Sequence, residues 1–586
     1  MPSRAIVNPL FPFLSLAVAV VAAVAPVATA GPRQAVWASG PVGADGPWNA
    51  VSVSFRGQPT MALFPGHMWQ TFLTTSDYCA FNNSVPHCSS GTYLKDSAVA
   101  GAATKIDFKP VAQDLTEGIE VRGKTNMYLD MIDLQFDSGA VLNHSVALIE
   151  SETQMFVYPG GTLFPVFAGC LSLGAPDPQQ AFPGDSNINS SAVVARMIPW
   201  ALKSAGTTAS SSFGLHYGSA SSSAKVSGSL VFGGYDRNRV VGSVLTSDGD
   251  LSTSITLQAI TLRVIDGSSP FPSLPSGGST PNLLTQGNTS IPAAGLPVLL
   301  DPCSPYLTLP RSTCDAIAAQ LPVTYNASLG LYLWNTTSPL YYHTVSSAST
   351  LSLTFIGSSN TQSLTIHVPL AHLNLTLSPP FTSSPVPYFP CFTGGTGAYV
   401  LGRAFLQDAF LGANWETKKV WLAQAPGPKI PTGADVAGIK ADEAGALVAG
   451  KNEWAASWEG VWTVLTAGDT AAVSSGAGAA SPTGTGIGAA GAGGAEGGNK
   501  SGLMVGIGVG AAAGGMLLVA AAWFLRRMRR AARPAPQARP GPASGEEFDE
   551  VKAPVWVPPV EAPGKSNEIY EVMGDHPGGH FSRGWR

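Results

Sequence analysis

Charge is what this sequence has least of. Asp, Glu, Lys and Arg make up 12% of its 586 residues, about half the usual share. The formal net charge is -5, so there is no basic surface to attract a polyanion, and no nucleic-acid partner is expected. The nine histidines are scattered, and no His, Cys, Asp and Glu cluster has ligand spacing; neither a metal nor a cofactor is expected. No serine nucleophile stands in a motif with a supporting His and Asp. Cysteine is limited to six residues, which in a secreted chain implies disulfides.

The ends of the chain set its compartment. Residues 1–30 carry Arg4, an apolar run from Leu14 to Val24 and the small residues Ala28, Thr29 and Ala30, the pattern of a secretory signal cleaved after Ala30. Leu503 to Leu525 is an uncharged run of 23 residues, long enough to span a bilayer as one helix. Arg526, Arg527, Arg529, Arg530 and Arg533 follow it, which places the C-terminal side in the cytoplasm. A single-pass type I membrane protein is expected, with its N-terminal part outside the cell or in a lumen. Eight Asn-x-Ser/Thr sequons, at Asn82, Asn143, Asn189, Asn288, Asn326, Asn335, Asn374 and Asn499, all precede the span; this agrees with a glycosylated ectodomain. Residues 426–502 become rich in Gly, Ala and Ser and are expected to form a flexible stalk. The tail, 526–586, has too few apolar residues to fold and is expected to be disordered.

Between residues 48 and 425 short apolar stretches alternate with Gly, Pro and Ser turns, which predicts a mainly β architecture. The most informative stretch is LPVLLDPCSPYLTLPRSTCDAI, Leu296 to Ile317: an apolar strand, Asp301, a small polar turn, a second apolar strand and the start of a helix. Further on, AYVLGRAFLQDAF contains the apolar, apolar, Gly sequence Val400, Leu401, Gly402. A matching apolar strand with Gly occurs earlier, in FAGCLSLG (Phe167 to Gly174), and Phe232, Gly233, Gly234, Tyr235, Asp236 reads as a turn between strands.

This order resembles the pepsin-like (A1) aspartic proteases, and most of all their fungal membrane-anchored members. The resemblance covers about residues 48–425 and implies a bilobal fold, with one lobe at about 48–240 and the other at about 241–425. Asp301 then corresponds to the second catalytic aspartate, with Val400 to Gly402 as the strand crossing behind it. The first catalytic loop falls on LFPGHMWQTFLTTSDYC, where Pro65 stands at the aspartate position. Proline has neither a carboxylate nor an N–H, so it cannot move a proton. Asp137, in Phe136-Asp137-Ser138-Gly139-Ala140, is a competing carboxylate, but Asp-Ser-Gly is also an ordinary turn. The resemblance pairs Cys79 with Cys88 and makes Cys303 and Cys391 candidates to tie the second loop, leaving Cys170 and Cys314.

In aspartic proteases two carboxylates share one proton. A lone Asp301, with Pro302 and Cys303 in place of the usual Thr and Gly, implies a catalytically impaired protein whose cleft holds an extended peptide or a cell-wall component. The alternatives are an active aspartic endopeptidase using Asp301 with Asp137, and a surface sensor or adhesin acting through its span and tail. The expected address is the plasma membrane or cell wall, with a vacuolar or endosomal membrane as the other secretory destination.

Overall fold

The computed structural model describes residues 30–81, 88–94, 103–106, 108–174, 179–182, 193–357 and 362–469. The expected signal peptide, membrane span and cytoplasmic tail lie outside the described residues, as do Asn82, Asn189 and Asn499. All described residues fall in one compact unit. No described helix is long and apolar enough to cross a membrane.

Two seven-stranded sheets and one six-stranded sheet carry the architecture. In the first lobe, Met61–Gly66 runs parallel to Cys170–Ser172, with Phe64 opposite Cys170 and Pro65 opposite Leu171. Thr71–Thr74 flanks Cys170–Ser172 on its other side, antiparallel. The second lobe repeats this arrangement. Leu296–Leu300 runs parallel to Val400–Leu401, and Leu307–Thr308 pairs antiparallel with that same crossing strand. Each lobe thus brings a loop down onto a strand that crosses behind it. The six-stranded sheet joins the lobes: Ser212–His216 pairs with Ala409–Asn414, and Val241–Asp248 pairs with Lys419–Gln424.

The alternation in the sequence becomes the pleat of these strands. Along Ile255–Val264, the residues Ile255, Leu257, Ile260, Leu262 and Val264 are buried. Val51, Val53 and Phe55 do the same along Val51–Phe55. The segment VVARMIPWALKSAG reads as one helix but divides into the strand Val193–Arg196 and the helix Ile198–Ser204. Pro199, in the first helical turn, explains the division, since proline suits a helix start but breaks a helix interior.

Two expectations are corrected. The domain does not run from 48 to 425. Upstream, Arg33–Gln34 already pairs with Ser229–Phe232 at the edge of the six-stranded sheet. Downstream, residues 426–469, assigned to the stalk, pack on the lobes. Val436–Gly438 pairs with Gly234–Asp236, and Ala437, Ile439 and Leu447 join Tyr235, Phe410 and Trp421 in a small core. The helix Trp454–Trp458 buries Trp458 fully against the His372 ring. His372 lies between the Asp408 carboxylate at 2.8 Å and the Ala224 carbonyl at 2.8 Å. Both ring nitrogens therefore donate, the arrangement of an imidazolium. Burial opposes that charge, but Asp408 outweighs it and raises the His372 pKa. The apolar residues of 426–469 have no period of 2 or 3.6, because they plug separate gaps in an existing surface, and so gave no element signal.

The second correction concerns cysteine. Cys79 is bonded to Cys88, but Cys303 is bonded to Cys170 and Cys391 to Cys314. Cys391 lies in a strand parallel to Leu307–Thr308, next to the helix Arg311–Ala318 that carries Cys314. Cys303 instead faces the crossing strand of the other lobe.

Candidate active site

Asp301 ends the strand Leu296–Leu300, on the floor between the lobes, and is 1% exposed. Its carboxylate accepts hydrogen bonds from three segments. The Cys303 N–H donates to Oδ1 at 2.8 Å from within the loop. His67 Nδ1 donates to Oδ1 at 3.1 Å from the first-lobe loop. The Thr116 hydroxyl and the Glu117 N–H donate to Oδ2 at 2.8 and 2.9 Å.

Thr116 and Glu117 are at the tip of a hairpin, 110–125, closed at its root by the Val111–Lys124 bridge and the Ala112 N–H to Gly123 carbonyl bond. Gln113 braces it from within, donating to the Thr116 and Ile119 carbonyls and accepting from the Val121 N–H. The tip touches the second lobe as well: a Cβ on Gly118 (φ +80°) would stand 2.8 Å from Val400 Cγ2 and 2.9 Å from Thr308 Oγ1. Only glycine accepts both that backbone and that approach.

The electrostatics follow from burial and these donors. Desolvation works against charge on Asp301, but His67, the Glu117 N–H and the Thr116 hydroxyl outweigh it and hold the carboxyl below its ordinary range. Burial likewise opposes charge on His67, and Asp301, with Glu117 and Asp250, raises its pKa. Asp114, half-buried in the hairpin, is pushed up to about 6 by desolvation. Glu117 is raised, first by desolvation and then by Asp301 and Asp114.

Of the residues predicted from sequence, Pro65 is in the strand Met61–Gly66, in register with the crossing strand. It supplies no group to the site; the first loop contributes His67, two residues on. Asp137 is not brought in. It is exposed on the turn between Asn126–Asp133 and Ala140–Ile149, and none of the four donors to Asp301 comes from that turn. Its Asp-Ser-Gly sequence makes that turn, with Ser138 at φ +61°. Among the described sequons, Asn143 and Asn335 are exposed, whereas the side-chain amides of Asn288 and Asn374 donate to Ser312 and Tyr341. Asn326 is half-buried, and its side-chain oxygen accepts from the Ser328 N–H.

Sequence reasoning missed His67, Thr116, Glu117 and Arg403. His67 had a signal, a histidine two residues after Pro65 in the first loop. The hairpin had little, since PVAQDLTEGIEVRGK shows no clean alternation. Arg403, directly after the crossing strand, is 3% exposed. It donates to the Cys303 carbonyl at 2.5 Å, lies 3.7 Å from the Asp45 carboxylate and stacks 3.8 Å from the centre of the Phe64 ring. The Cys170–Cys303 disulfide fills the space between the loops, with both cysteines 3% exposed. A Cβ on Gly66 would be 3.2 Å from Cys170 Cβ and 3.6 Å from Cys303 Cβ. Between hairpin and floor, a small gap is lined by Leu115, Ile119, Phe156, Phe167 and Arg403.

Chemically, the site holds one buried carboxylate whose two oxygens each already accept two hydrogen bonds. Among the described residues, no second carboxylate is hydrogen-bonded to it. The described residues contain no His, Cys, Asp and Glu group able to hold a metal ion.

Residues 167–425 match the family model described as eukaryotic aspartyl protease. That range contains Asp301 and both crossing strands, and begins after the first loop. A curated relative, aspartic proteinase sxa1 of Schizosaccharomyces pombe, is 28% identical over 201 residues, 33% of this chain and 33% of that protein. The chain thus spans about a third of the length of the curated relative it matches. Among solved structures, the aspartic proteinase from Irpex lacteus is similar over 67% of this chain and 98% of that one, at 15% identity and a TM-score of 0.38.

Proposed function

We propose, from the premise that this chain is a pepsin-like (A1) aspartic-protease-like protein, that it is a catalytically impaired member of the class. One observation carries this reading: every hydrogen-bonding position of the Asp301 carboxylate is taken by protein, with the flap hairpin directly upon it. Aspartic proteolysis needs a water between two carboxylates, one taking its proton and the other giving one to the substrate carbonyl. Here Pro65 offers no carboxylate, and Asp301 is fixed in its ionised form. Acid–base help of this kind is worth roughly 10² to 10⁴ in rate.

What the fold retains is a cleft under a hairpin, with the apolar gap at Leu115, Phe156 and Phe167. We infer that its ligand is an extended peptide or a wall component with an apolar group, bound when the hairpin lifts. The apolar run Leu503 to Leu525 and the signal-like residues 1–30 support presentation of this domain at the cell surface by a single membrane span.

The test is hydrolysis of a broad peptide library by the purified full-length chain, between about pH 3 and 7, beside Asp301→Asn. We expect no cleavage by either protein. Cleavage by the parent that disappears in Asp301→Asn would establish the alternative, an active endopeptidase.

A further inference from the structure

We propose that the cleft is occupied by the protein's own chain: Phe381, carried on a loop of the second lobe, plugs an aromatic pocket of the first, and an incoming ligand binds by displacing that ring. This rests on the reading of the cleft as a ligand site and adds what keeps the site closed.

Rings from both lobes meet beside the gap under the hairpin. The Phe381 ring centre lies 4.3 Å from that of Phe164, 5.2 Å from that of Phe167 and 5.4 Å from that of Tyr158. These first-lobe rings hold it in tilted and edge-on contacts, the geometry aromatic pairs favour, and leave Phe381 buried. Tyr158 and Phe167 also line the gap between hairpin and floor. That gap measures about 20 Å³, room for a water and for no apolar side chain. With Phe381 withdrawn, the faces of Tyr158 and Phe167 that it covers are free to receive one.

The second-lobe rings differ in what carries them. Phe392, which also packs on Tyr158, belongs to the strand Cys391–Phe392, paired with Leu307–Thr308. Tyr306 directly precedes that partner strand, is fully buried and shares a hydroxyl bond with Tyr158 at 2.7 Å. Neither ring can leave without parting a sheet. Phe381 instead sits in the loop 378–385, between the strands Leu375–Leu377 and Val386–Phe389, which pair with each other. Pro379, Ser383, Ser384 and Pro385 of that loop are exposed. The hydrogen bonds that hold it are Ser378 N–H to the Ala44 carbonyl, Phe381 N–H to the Ser378 carbonyl and the Thr382 hydroxyl to the Leu377 carbonyl. Only the first of these leaves the loop and its strands. The loop can therefore withdraw its ring while the strands on either side stay paired. A site that is open only part of the time binds with an affinity reduced by the open fraction, and removing the plug removes that reduction.

The experiment is binding of two fluorescent peptides, identical but for Phe or Ala at the centre, to the full-length chain in detergent, followed by anisotropy. Phe381→Ala should bind the Phe peptide at least about tenfold more tightly than the parent does, with no such gain for the Ala peptide. In the parent, excess Phe peptide should lower the hydrogen-exchange protection of the Phe381 amide while the strand Ser349–Ile356 keeps its own. Equal affinity in the parent and Phe381→Ala, or a loop whose protection bound peptide leaves unmoved, would overturn the plug and leave the ligand site standing. Binding by neither protein would overturn both. If Phe381→Ala does not fold, Thr382→Val takes its place, since it removes the hydroxyl bond to Leu377 and keeps the ring. A gain of about threefold for the Phe peptide then supports the plug, and no gain overturns it.

Discussion

The two loops beneath the cleft share a frame and differ in content. Each follows a strand paired parallel to a crossing strand, Met61–Gly66 on Cys170–Ser172 and Leu296–Leu300 on Val400–Leu401. In the second, a carboxylate stands at the end of that strand and gathers donors from three segments. In the first, the register puts Gly66 at the corresponding place, with Pro65 one residue before it opposite Leu171, and the loop's side-chain contribution is the His67 imidazole. Backbone pairing fixes where a loop sits, and pairing is indifferent to most side chains; the chemistry resides in two or three residues that the frame does not constrain.

This comparison can be tested at either loop. The largest effect is expected at Asp301. Asp301→Ala strands two buried N–H groups, a hydroxyl and the His67 imidazole, and should cost about 3–5 kcal/mol in denaturant unfolding. Pro65→Ala, which removes no hydrogen bond, should cost far less. Because the Asp301 carboxyl is lowered, its contribution is present above the ordinary carboxylate value near 4 and fades as the pH falls through its folded value. The acid limb of the melting curve should therefore be shallower in Asp301→Asn.

Next comes the staple between the second loop and the first lobe's crossing strand. Cys170 and Cys303 are 133 residues apart, Cys79 and Cys88 only 9. In the chain-entropy account the longer closure restrains the unfolded chain more, so Cys170→Ser/Cys303→Ser should lose roughly 5 kcal/mol and Cys79→Ser/Cys88→Ser clearly less. Thermal unfolding of both pairs, followed by circular dichroism, checks the ranking.

A smaller effect is expected at Gly66→Ala, whose new methyl meets Cys170 Cβ at 3.2 Å. Overpacking of this kind costs about 1–3 kcal/mol. In the Cys170→Ser/Cys303→Ser background the penalty should shrink, and a double-mutant cycle measures by how much. The smallest change is Asp137→Asn, at an exposed turn: stability should move by no more than about 0.5 kcal/mol and peptide hydrolysis not at all. A clear loss there would return Asp137 to the site and break the contrast between the loops.

Legibility followed the range of the interactions. The Asp301 loop, its crossing strand Val400–Leu401 and the turn at Gly233 could be read because each is a local pattern of apolar alternation and a special residue. His67 was in plain view in the first loop, but its meaning depends on a carboxylate 234 positions away. The hairpin was obscured because its tip is held by the floor and its interior by Gln113, a polar residue that leaves no apolar period. The exchange of partners among Cys170, Cys303, Cys314 and Cys391 was undetermined, since spacing says nothing about which strands cross.

By itself the sequence determined a mainly β chain with the Asp301 loop and the strand Val400–Leu401 legible in it, because strand alternation and loop motifs are written in neighbouring residues. Only the tertiary structure decided that Asp301 is sealed by His67, Thr116 and Glu117, that a disulfide joins the second loop to the first lobe's crossing strand, and that residues 426–469 belong to the folded unit. Each of these is a contact between segments far apart in the chain, where what matters is which surfaces meet and whether a buried charge finds its donors.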